Sequence, residues 1–178
     1  IYKEIKFVLK DKEEKIVIND IQTNLDIPII SCFREFPAPV NWSTDLSFDE
    51  KIFLIENETD AFTIYDSVQR IYKEIINKSL KKDNTFDLEK KLFSTIRNIF
   101  LFKKDIKLSI LYELINVPSF SDLEPELENI DPLEIYKIID SLNIKLATNL
   151  GEILHRKLEE IEDNLKNIWP EGKDERKL

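Results

Sequence analysis

The one histidine of this 178-residue chain lies where it could take part in metal chemistry. Glu152 and His155 are three residues apart and Glu159 follows four residues later, so all three can share one face of a helix. A Glu-x-x-His pair is the spacing of carboxylate-bridged metal sites in helix bundles, but those sites use two copies of it. A single histidine therefore favours the alternative, a solvated helix face with Glu–His and Glu–Arg pairs.

Two other features could carry chemistry, the single cysteine and an acidic stretch. Cys32 has apolar neighbours and no adjacent base, which predicts a small buried hydrophobic side chain rather than a nucleophile. The carboxylates between Asp122 and Asp131 suit a hard cation, but they lack the spacing of a calcium-binding loop and predict a solvated loop instead. The sequence also contains no glycine-rich loop that could hold a phosphate.

The composition limits the classes of protein that fit. Eleven phenylalanines and 42% hydrophobic residues indicate a packed globular chain, and a net charge of −9 argues against a nucleic-acid or anionic-membrane surface. No apolar run reaches the roughly 18–20 residues of a membrane span. One cysteine forms no intrachain disulfide, which is compatible with the cytoplasmic location that we predict. The absence of methionine predicts a piece of a longer chain.

The first residues alternate as a β-strand does. Ile5, Phe7 and Leu9 fall on one face, residues 11–14 form a polar turn, and residues 13–18 form a returning strand. Two strands alone are marginally stable, so this predicted hairpin needs more sheet. A third extended piece is predicted over residues 27–31.

Residues 28–40 separate this β pattern from everything that follows. Prolines at 28, 37 and 39 each fix φ near −65° and hold the preceding residue extended, which predicts a rigid junction. Arg34 lies between Phe33 and Phe36, so we expect it to be buried with a carboxylate or carbonyl partner. The predicted domains are residues 1–40, the end of a β-sandwich with its junction, and residues 41–178, a partial helical domain.

Beyond residue 40, apolar residues recur at helical spacing. Helices are predicted at about 48–57, 61–78, 87–101 and 105–115, with Ser47 or Thr44 capping the first, Asp60 capping the second, and a loop over 119–130. Asp131-Pro132-Leu133-Glu134 opens a long final helix that Gly151 could kink or divide. The predicted class is mainly α, with stacked antiparallel helix pairs of the α-solenoid type after a short β hairpin or β-sandwich remnant.

Five segments, in order along the chain, resemble the aminopeptidase N family of zinc metallopeptidases, in its bacterial, alanyl aminopeptidase branch. Residues 31–40 (Ser-Cys-Phe-Arg-Glu-Phe-Pro-Ala-Pro-Val) are similar to the family's Ser-Leu-Leu-Arg-Gly-Phe-Ser-Ala-Pro-Val. Residues 56–62 and 65–70 resemble its His-Asp-Ser-Asp-Pro-Phe and Trp-Glu-Ala-Gly-Gln-Arg segments. Residues 117–119 and 131–135 resemble its Leu-Pro-Ser and Asp-Pro-Asp-Ala-Ile segments. Glu35 replaces a glycine, which puts a left-handed backbone conformation there in doubt.

The resemblance implies the C-terminal part of a peptidase that removes N-terminal residues from peptides. This part comprises the end of a β-sandwich and the first part of a helical domain that helps to enclose the active site. The partners it implies are the catalytic domain of the parent, which would hold the zinc, and the peptides that the full enzyme cleaves. The structural residues that we predict on this basis lie at the junction (Phe33, Arg34, Phe36 and Pro39) and at the first helix pair (Asp60, Phe62 and Gln69).

The chain itself lacks the family's catalytic apparatus. A zinc aminopeptidase needs a His-Glu-x-x-His helix and a further glutamate, and His155 is the only histidine here. We therefore predict no catalytic, cofactor-binding or metal-binding residue in this segment, and no peptidase activity from the segment alone.

Two alternatives remain open at the level of sequence. The chain could be a stand-alone α-helical protein-interaction module from a split or decayed gene. It could also form a homodimer through the final helix, because an apolar stripe recurs near its end. The stripe consists of Leu154, Leu158, Ile161, Leu165 and Ile168.

Overall fold

The computed structural model describes residues 4–19, 28–36, 40, 42–103, 106–124 and 131–168, with side chains up to residue 163. The chain divides into two compact units, Ile1–Ile30 and Ser31–Leu178. This division does not test the domain boundary at residue 40, which stays a prediction.

The first unit shows no β hairpin in its described residues. Residues 4–19 and 28–30 carry no strand, and the backbone N–H of Lys10 donates to a carboxylate oxygen of Glu14 at 3.0 Å across a bend at residues 11–13. Ile5, Phe7 and Leu9 are 44%, 48% and 62% exposed, so the described residues of this unit do not cover the alternating apolar face. An alternating pattern of apolar and polar residues produces a stable strand only when its apolar face is covered. The described residues of this unit therefore do not show the predicted hairpin.

Within the described residues of the second unit, all regular structure is helical. The helices are α1 (Phe48–Asn57), α2 (Ala61–Leu80), α3 (Phe86–Phe102), α4 (Leu108–Ile115), α5 (Phe120–Leu123) and α6 (Pro132–Ile168). The mainly α prediction is confirmed for this unit. No described helix combines the length and the apolar character needed to cross a membrane.

Side-chain caps start several of these helices. The Ser47 hydroxyl accepts from the backbone N–H of Glu50, whose carboxylate accepts from the backbone N–H of Ser47, so α1 begins with a complete capping box. Asp60 caps α2 by accepting from the backbone N–H of Thr63 at 2.8 Å. Asp131 accepts from the backbone N–H of Leu133 at 3.0 Å at the start of α6.

The hydrophobic core forms around α2, which contacts α1, α3, α4 and α6. Its apolar face is buried because residues at intervals of three and four all point toward other helices. These fully buried side chains are Ile64, Val68, Ile71, Tyr72, Ile75 and Ile76. The Tyr72 hydroxyl donates to the carbonyl of Leu114 at 2.9 Å, so α2 and α4 are also joined by a buried hydrogen bond. Burial raises the pKa of the Tyr72 phenol above its ordinary value.

Ion pairs fix α3 against both of its neighbours. Lys91 Nζ lies 2.6 Å from a carboxylate oxygen of Asp49 in α1, at the surface. On the other side, Lys145 Nζ of α6 lies 2.6 Å from the carboxylate of the buried Glu89, which also accepts from the Thr85 hydroxyl at 2.7 Å. Glu89 therefore has both a counter-charge and a hydrogen bond, as a buried carboxylate requires.

Three predictions about the helices need correction. The structure begins α4 at Leu108 rather than at 105, because Lys103 is extended at the end of α3 and its side chain reaches back to α1. The predicted loop 119–130 contains α5, which begins with a Ser119–Asp122 capping box. The helix α6 is continuous through Gly151, because apolar residues before and after this glycine are buried.

We predict that Tyr72→Phe lowers the free energy of unfolding by about 1–2 kcal/mol. The substitution keeps the ring but leaves the buried Leu114 carbonyl without its donor. Urea denaturation followed by circular dichroism measures the change. Tyr112→Phe, at an exposed tyrosine of α4, is the control and should change the value by less than about 0.5 kcal/mol. Equal values for the two variants would contradict the prediction.

Candidate functional site

Several of the structural residues predicted from sequence meet at the corner where α1 ends and α2 begins. We call this region the α1–α2 corner and define it by Ser31, Arg34, Glu58, Asp60 and Lys103. The side chain of Glu58, between the two helices, is only 8% exposed and lies at its centre.

The Glu58 carboxylate gathers donors from three directions. One of its oxygens, Oε1, accepts from the backbone N–H groups of Thr59 at 2.7 Å and Asp60 at 3.2 Å. The same oxygen lies 3.2 Å from Arg34 Nη2, which also donates to the Thr59 hydroxyl at 3.2 Å. Arg34, for which the sequence predicted a carboxylate or carbonyl partner, is thus held by a carboxylate on the helices.

These donors keep Glu58 ionised although it is buried. Burial alone would raise the pKa of the Glu58 carboxyl. Hydrogen bonds from the Ser31 hydroxyl and from the backbone of Thr59 and Asp60, together with the charge of Arg34, lower the pKa below its ordinary value. The carboxylate is therefore fully charged at neutral pH and binds Arg34 as an ion pair.

Lys103 completes the corner from the end of α3. Its ammonium group donates to the carbonyl oxygens of Glu56 at 3.2 Å and Glu58 at 3.1 Å, which have no partner within a helix because α1 ends there. Burial lowers the pKa of the Lys103 ammonium, and the nearby charge of Glu58 opposes that shift. The last turn of α1 has no basic residue of its own, and Lys103 supplies that charge.

Asp60 serves two segments at once. One carboxylate oxygen caps α2, and the other accepts from the backbone N–H of Glu35 at 2.9 Å. Ser31 Oγ lies 3.3 Å from Thr63 Oγ1, within hydrogen-bonding distance and close to the same cap. Residues 31–36 are thus bound to the start of α2 through main-chain and side-chain atoms.

The segment that binds this corner has a strained turn. Phe33, Glu35 and Phe36 all have positive φ, at 55°, 64° and 46°, and the backbone N–H of Phe36 donates to the Phe33 carbonyl at 2.9 Å. Glu35, which replaces a glycine of the resembled segment, therefore adopts the left-handed conformation that the sequence put in doubt. Such a conformation costs about 1–2 kcal/mol for a residue other than glycine.

Aromatic contacts hold the same turn from both sides. The rings of Phe33 and Trp42 have centroids 5.3 Å apart, and those of Phe36 and Phe62 are 4.6 Å apart. Trp42 is fixed in turn by Arg70, whose guanidinium lies 4.3 Å from the ring centroid and donates to the Trp42 carbonyl at 3.0 Å. These contacts offset the strain of the positive-φ residues.

The remaining predicted residues lie as follows. Gln69 donates from its side-chain amide to the Asn116 carbonyl at 2.9 Å, which joins α2 to the segment after α4. Pro39 lies outside the described residues. Asp66 and Arg70, four residues apart on α2, form an ion pair at 2.6 Å. The sequence analysis did not single out Glu58, Trp42 or Lys103. The one available signal was the position of Glu58, two residues before the helix cap Asp60, where its carboxylate can accept from the backbone between α1 and α2.

The alternative chemical sites find no support in the described residues. His155 is 73% exposed and lies 3.3 Å from Glu159 alone, and no group of three His, Cys, Asp or Glu side chains there could hold a metal ion. Cys32 is exposed, not buried as predicted, whereas its neighbours Phe33 and Arg34 are half-buried and contact Trp42 and Glu58. Although the residue as a whole is exposed, desolvation by nearby atoms raises the pKa of its thiol, so the reactive thiolate is disfavoured.

A groove of about 680 Å³ lies between the first turns of α3 and the middle of α6. It contains the Glu89–Lys145 pair, and Arg97 Nη1 donates across it to the Asn149 carbonyl at 3.5 Å. The buried carboxylate in this groove is already neutralised and hydrogen-bonded. Its role in the groove is to join two helices.

Comparison with known proteins identifies the helical part. A family model described as a domain of unknown function with ARM repeats, DUF3458_C, matches residues 48–178. The chain belongs to this family. The match covers all six described helices, and the stacked helices of the second unit agree with an ARM-repeat description.

Individual relatives of this DUF3458_C chain are distant. The aminopeptidase N of Caulobacter vibrioides is 26% identical over 129 residues, which are 72% of this chain and 15% of the relative. The aminopeptidase N of Escherichia coli is 24% identical over 131 residues, again 72% and 15%. A histidine–tRNA ligase of Saccharolobus solfataricus is 25% identical over 140 residues, 76% of this chain and 33% of the ligase. The chain thus spans at most a third of any of these relatives. The family match and the two aminopeptidases support an aminopeptidase N-like C-terminal region.

We predict that Arg34→Ala lowers the free energy of unfolding by about 2 kcal/mol, because it leaves the Glu58 carboxylate buried without its counter-charge. Chemical denaturation at pH 7 measures the loss. Arg156→Ala, at an exposed arginine of α6, is the control and should change stability by less than about 0.5 kcal/mol. A loss at Arg34 no larger than that of the control would show that the ion pair contributes nothing.

We also predict that Glu35→Gly raises the free energy of unfolding by about 0.5–1 kcal/mol. Glycine relieves the left-handed strain, and its greater freedom in the unfolded chain removes part of that gain. The matched control is Glu152→Gly in the exposed interior of α6, which should lower stability by about 1 kcal/mol. Thermal unfolding of the two variants against the parent chain checks both signs, and destabilisation by Glu35→Gly would refute the strained turn.

Proposed function

We propose that this chain is the non-catalytic helical region of an aminopeptidase N-like zinc peptidase. In this proposal the parent enzyme removes N-terminal residues from peptides. The region described here docks on the catalytic domain and helps to enclose the active site. The zinc belongs to that catalytic domain, because the described residues of this chain offer no set of ligands for it.

The observation that carries the proposal is the way the resembling segments meet in space. Arg34 of the first segment pairs with Glu58 of the second, and Phe36 packs on Phe62. Gln69 of the third segment binds the Asn116 carbonyl next to the fourth, whose Val117 is buried. Segments separated in sequence but joined by direct contacts fit a shared architecture better than an accidental likeness of short motifs.

In the proposal, the role of these residues is mechanical. The Arg34–Glu58 pair, the Asp60 cap and the aromatic contacts fix the direction in which the chain enters the helical region. A rigid entry would hold residues 31–36 in one position on the helices, which suits a region that forms a wall of an active-site chamber. The residues themselves bind no reacting atom.

The similarity to a histidine–tRNA ligase does not favour a tRNA-binding role. A chain of net charge −9 is repelled by the phosphate backbone of RNA. A stand-alone interaction module remains the second candidate, and the exposed apolar side chains of α6 are the observation that favours it.

The test is to capture the natural polypeptide. An antibody raised against residues 1–178 should precipitate, from the source organism, a polypeptide much longer than 178 residues that contains zinc and cleaves alanyl chromogenic amides. A chelator should abolish the cleavage, and pre-immune serum should capture neither protein nor activity. Capture of a polypeptide near 21.1 kDa without peptidase activity would favour the interaction module.

We further predict that purified residues 1–178 do not cleave alanyl or lysyl chromogenic amides with or without added zinc. The chain has a single, exposed histidine and cannot supply two imidazole ligands. Turnover that requires zinc, stops with chelator and persists through a second purification would contradict this assignment.

A further inference from the structure

The groove between α3 and α6 has the size of a small-molecule site and an apolar part. Its volume of about 680 Å³ falls within the roughly 300–1,000 Å³ of small-molecule pockets. Phe93 and Phe86 both line it. Phe93 is 6% exposed and belongs to the core, whereas Phe86, in the first turn of α3, is 65% exposed. The ring of Phe86 therefore offers apolar surface that a ligand can cover.

Three cationic side chains line the same groove from two helices. Lys90 and Arg97 are seven residues apart on α3 and so share one helix face, and Lys145 comes from α6. No described carboxylate forms an ion pair with Lys90 or Arg97. In this chain of net charge −9, Arg34 and Arg70 both pair with carboxylates. Two cations left without such a partner in one groove indicate an anionic ligand.

The donors in the groove are held in place but only partly used. Lys145 Nζ lies 2.6 Å from the buried Glu89 carboxylate, which fixes the ammonium group and leaves it two further N–H donors. The Arg97 guanidinium has five donors, and its described contact uses one of them, at 3.5 Å from the Asn149 carbonyl. A ligand oxygen can therefore accept from either group without breaking a contact within the protein.

The acidic residues of the groove limit the charge of the ligand. Glu89 and Asp83 also line it, so three cations against two carboxylates leave a net charge of +1. A phosphate group carries a charge of about −2 and would be repelled by both acidic residues. A carboxylate carries one charge, and its two oxygens match the planar fork of the Arg97 guanidinium. The chemistry that fits is a single carboxylate attached to an apolar group.

We propose that the groove between α3 and α6 binds an apolar monocarboxylate. The carboxylate binds Arg97 and Lys90, and the apolar group covers the rings of Phe86 and Phe93. Two sources offer this chemistry, a free acid with an aromatic or aliphatic group and the C-terminal residue of a short peptide. The site does not depend on the proposed function, since it uses only residues that line this groove.

The first experiment measures the affinity of the intact chain by isothermal titration calorimetry. The probes are N-acetyl-leucyl-phenylalanine, the same dipeptide with an amidated C-terminus, and 3-phenylpropionate. The dipeptide acid should bind at least about fivefold more tightly than its amide, because the amide lacks the charge that Arg97 and Lys90 recognise. A smaller preference for the acid overturns the proposal, as does the absence of binding by either acid at about 5 mM.

The same titrations distinguish the two sources. If the dipeptide acid binds at least about threefold more tightly than 3-phenylpropionate, the peptide backbone adds contacts and the source is a peptide C-terminus. If 3-phenylpropionate binds as tightly or more tightly, or falls short by less than that factor, the source is a free acid. Either result supports the groove as a carboxylate site.

The second experiment locates the site with variants that each remove one positive charge. Arg97→Gln should weaken the binding of both acids at least about fivefold, because it removes the guanidinium fork. Lys90→Gln should weaken it at least about twofold. The control Lys137→Gln, at an exposed lysine of α6 that does not line the groove, should change the affinity by less than about twofold. Circular dichroism should show all three variants folded, since all three positions are exposed. Losses at Arg97 and Lys90 no larger than that of the control would mean that the acids do not bind in this groove, and would reject the proposal.

Discussion

The buried carboxylate of Glu58 is the constraint on which the α1–α2 corner depends. A charge that is 8% exposed must be matched, and here it is matched by Arg34 and by the backbone at the start of α2. Because these donors come from different segments, satisfying one charge fixes the positions of all of them. The end of α3 is held at this corner as well, because the Lys103 ammonium donates to the backbone carbonyl of Glu58.

Around this corner, the helices are stabilised mainly by the burial of α2. Apolar side chains on α2 are covered by four other helices, and the buried Tyr72 hydroxyl adds a directional bond to α4. The corner adds little apolar area, but it determines where residues 31–36 run. The strained turn at Glu35 persists because these surroundings hold it from several sides. Apolar packing therefore stabilises the helical unit, and the polar contacts of the α1–α2 corner fix the position of residues 31–36 against it.

Much of the helical unit could be predicted from local patterns. The bounds of α1 and the caps at Ser47, Asp60 and Asp131 follow from short-range rules that act within one turn of helix. The Ser119–Asp122 box was an available signal for α5. The Glu58–Arg34 pair could not be predicted, because the sequence shows charges but not which ones meet across 24 residues. The predicted hairpin is not shown in the described residues. Its prediction used only the alternation of apolar residues, and alternation leads to a stable strand only when another surface covers the apolar face.

The most direct test of this account is the pKa of the Glu58 carboxyl, measured by carbon-13 NMR through an acid titration. The account predicts a value below the ordinary glutamate value of about 4.3. A group with a lowered folded pKa stabilises the fold above its unfolded pKa, and this stability is lost as the pH falls through the folded pKa. The value should rise toward the ordinary range in Arg34→Ala. A pKa at or above the ordinary value in the intact chain would mean that Glu58 is buried without its donors, and would contradict the account.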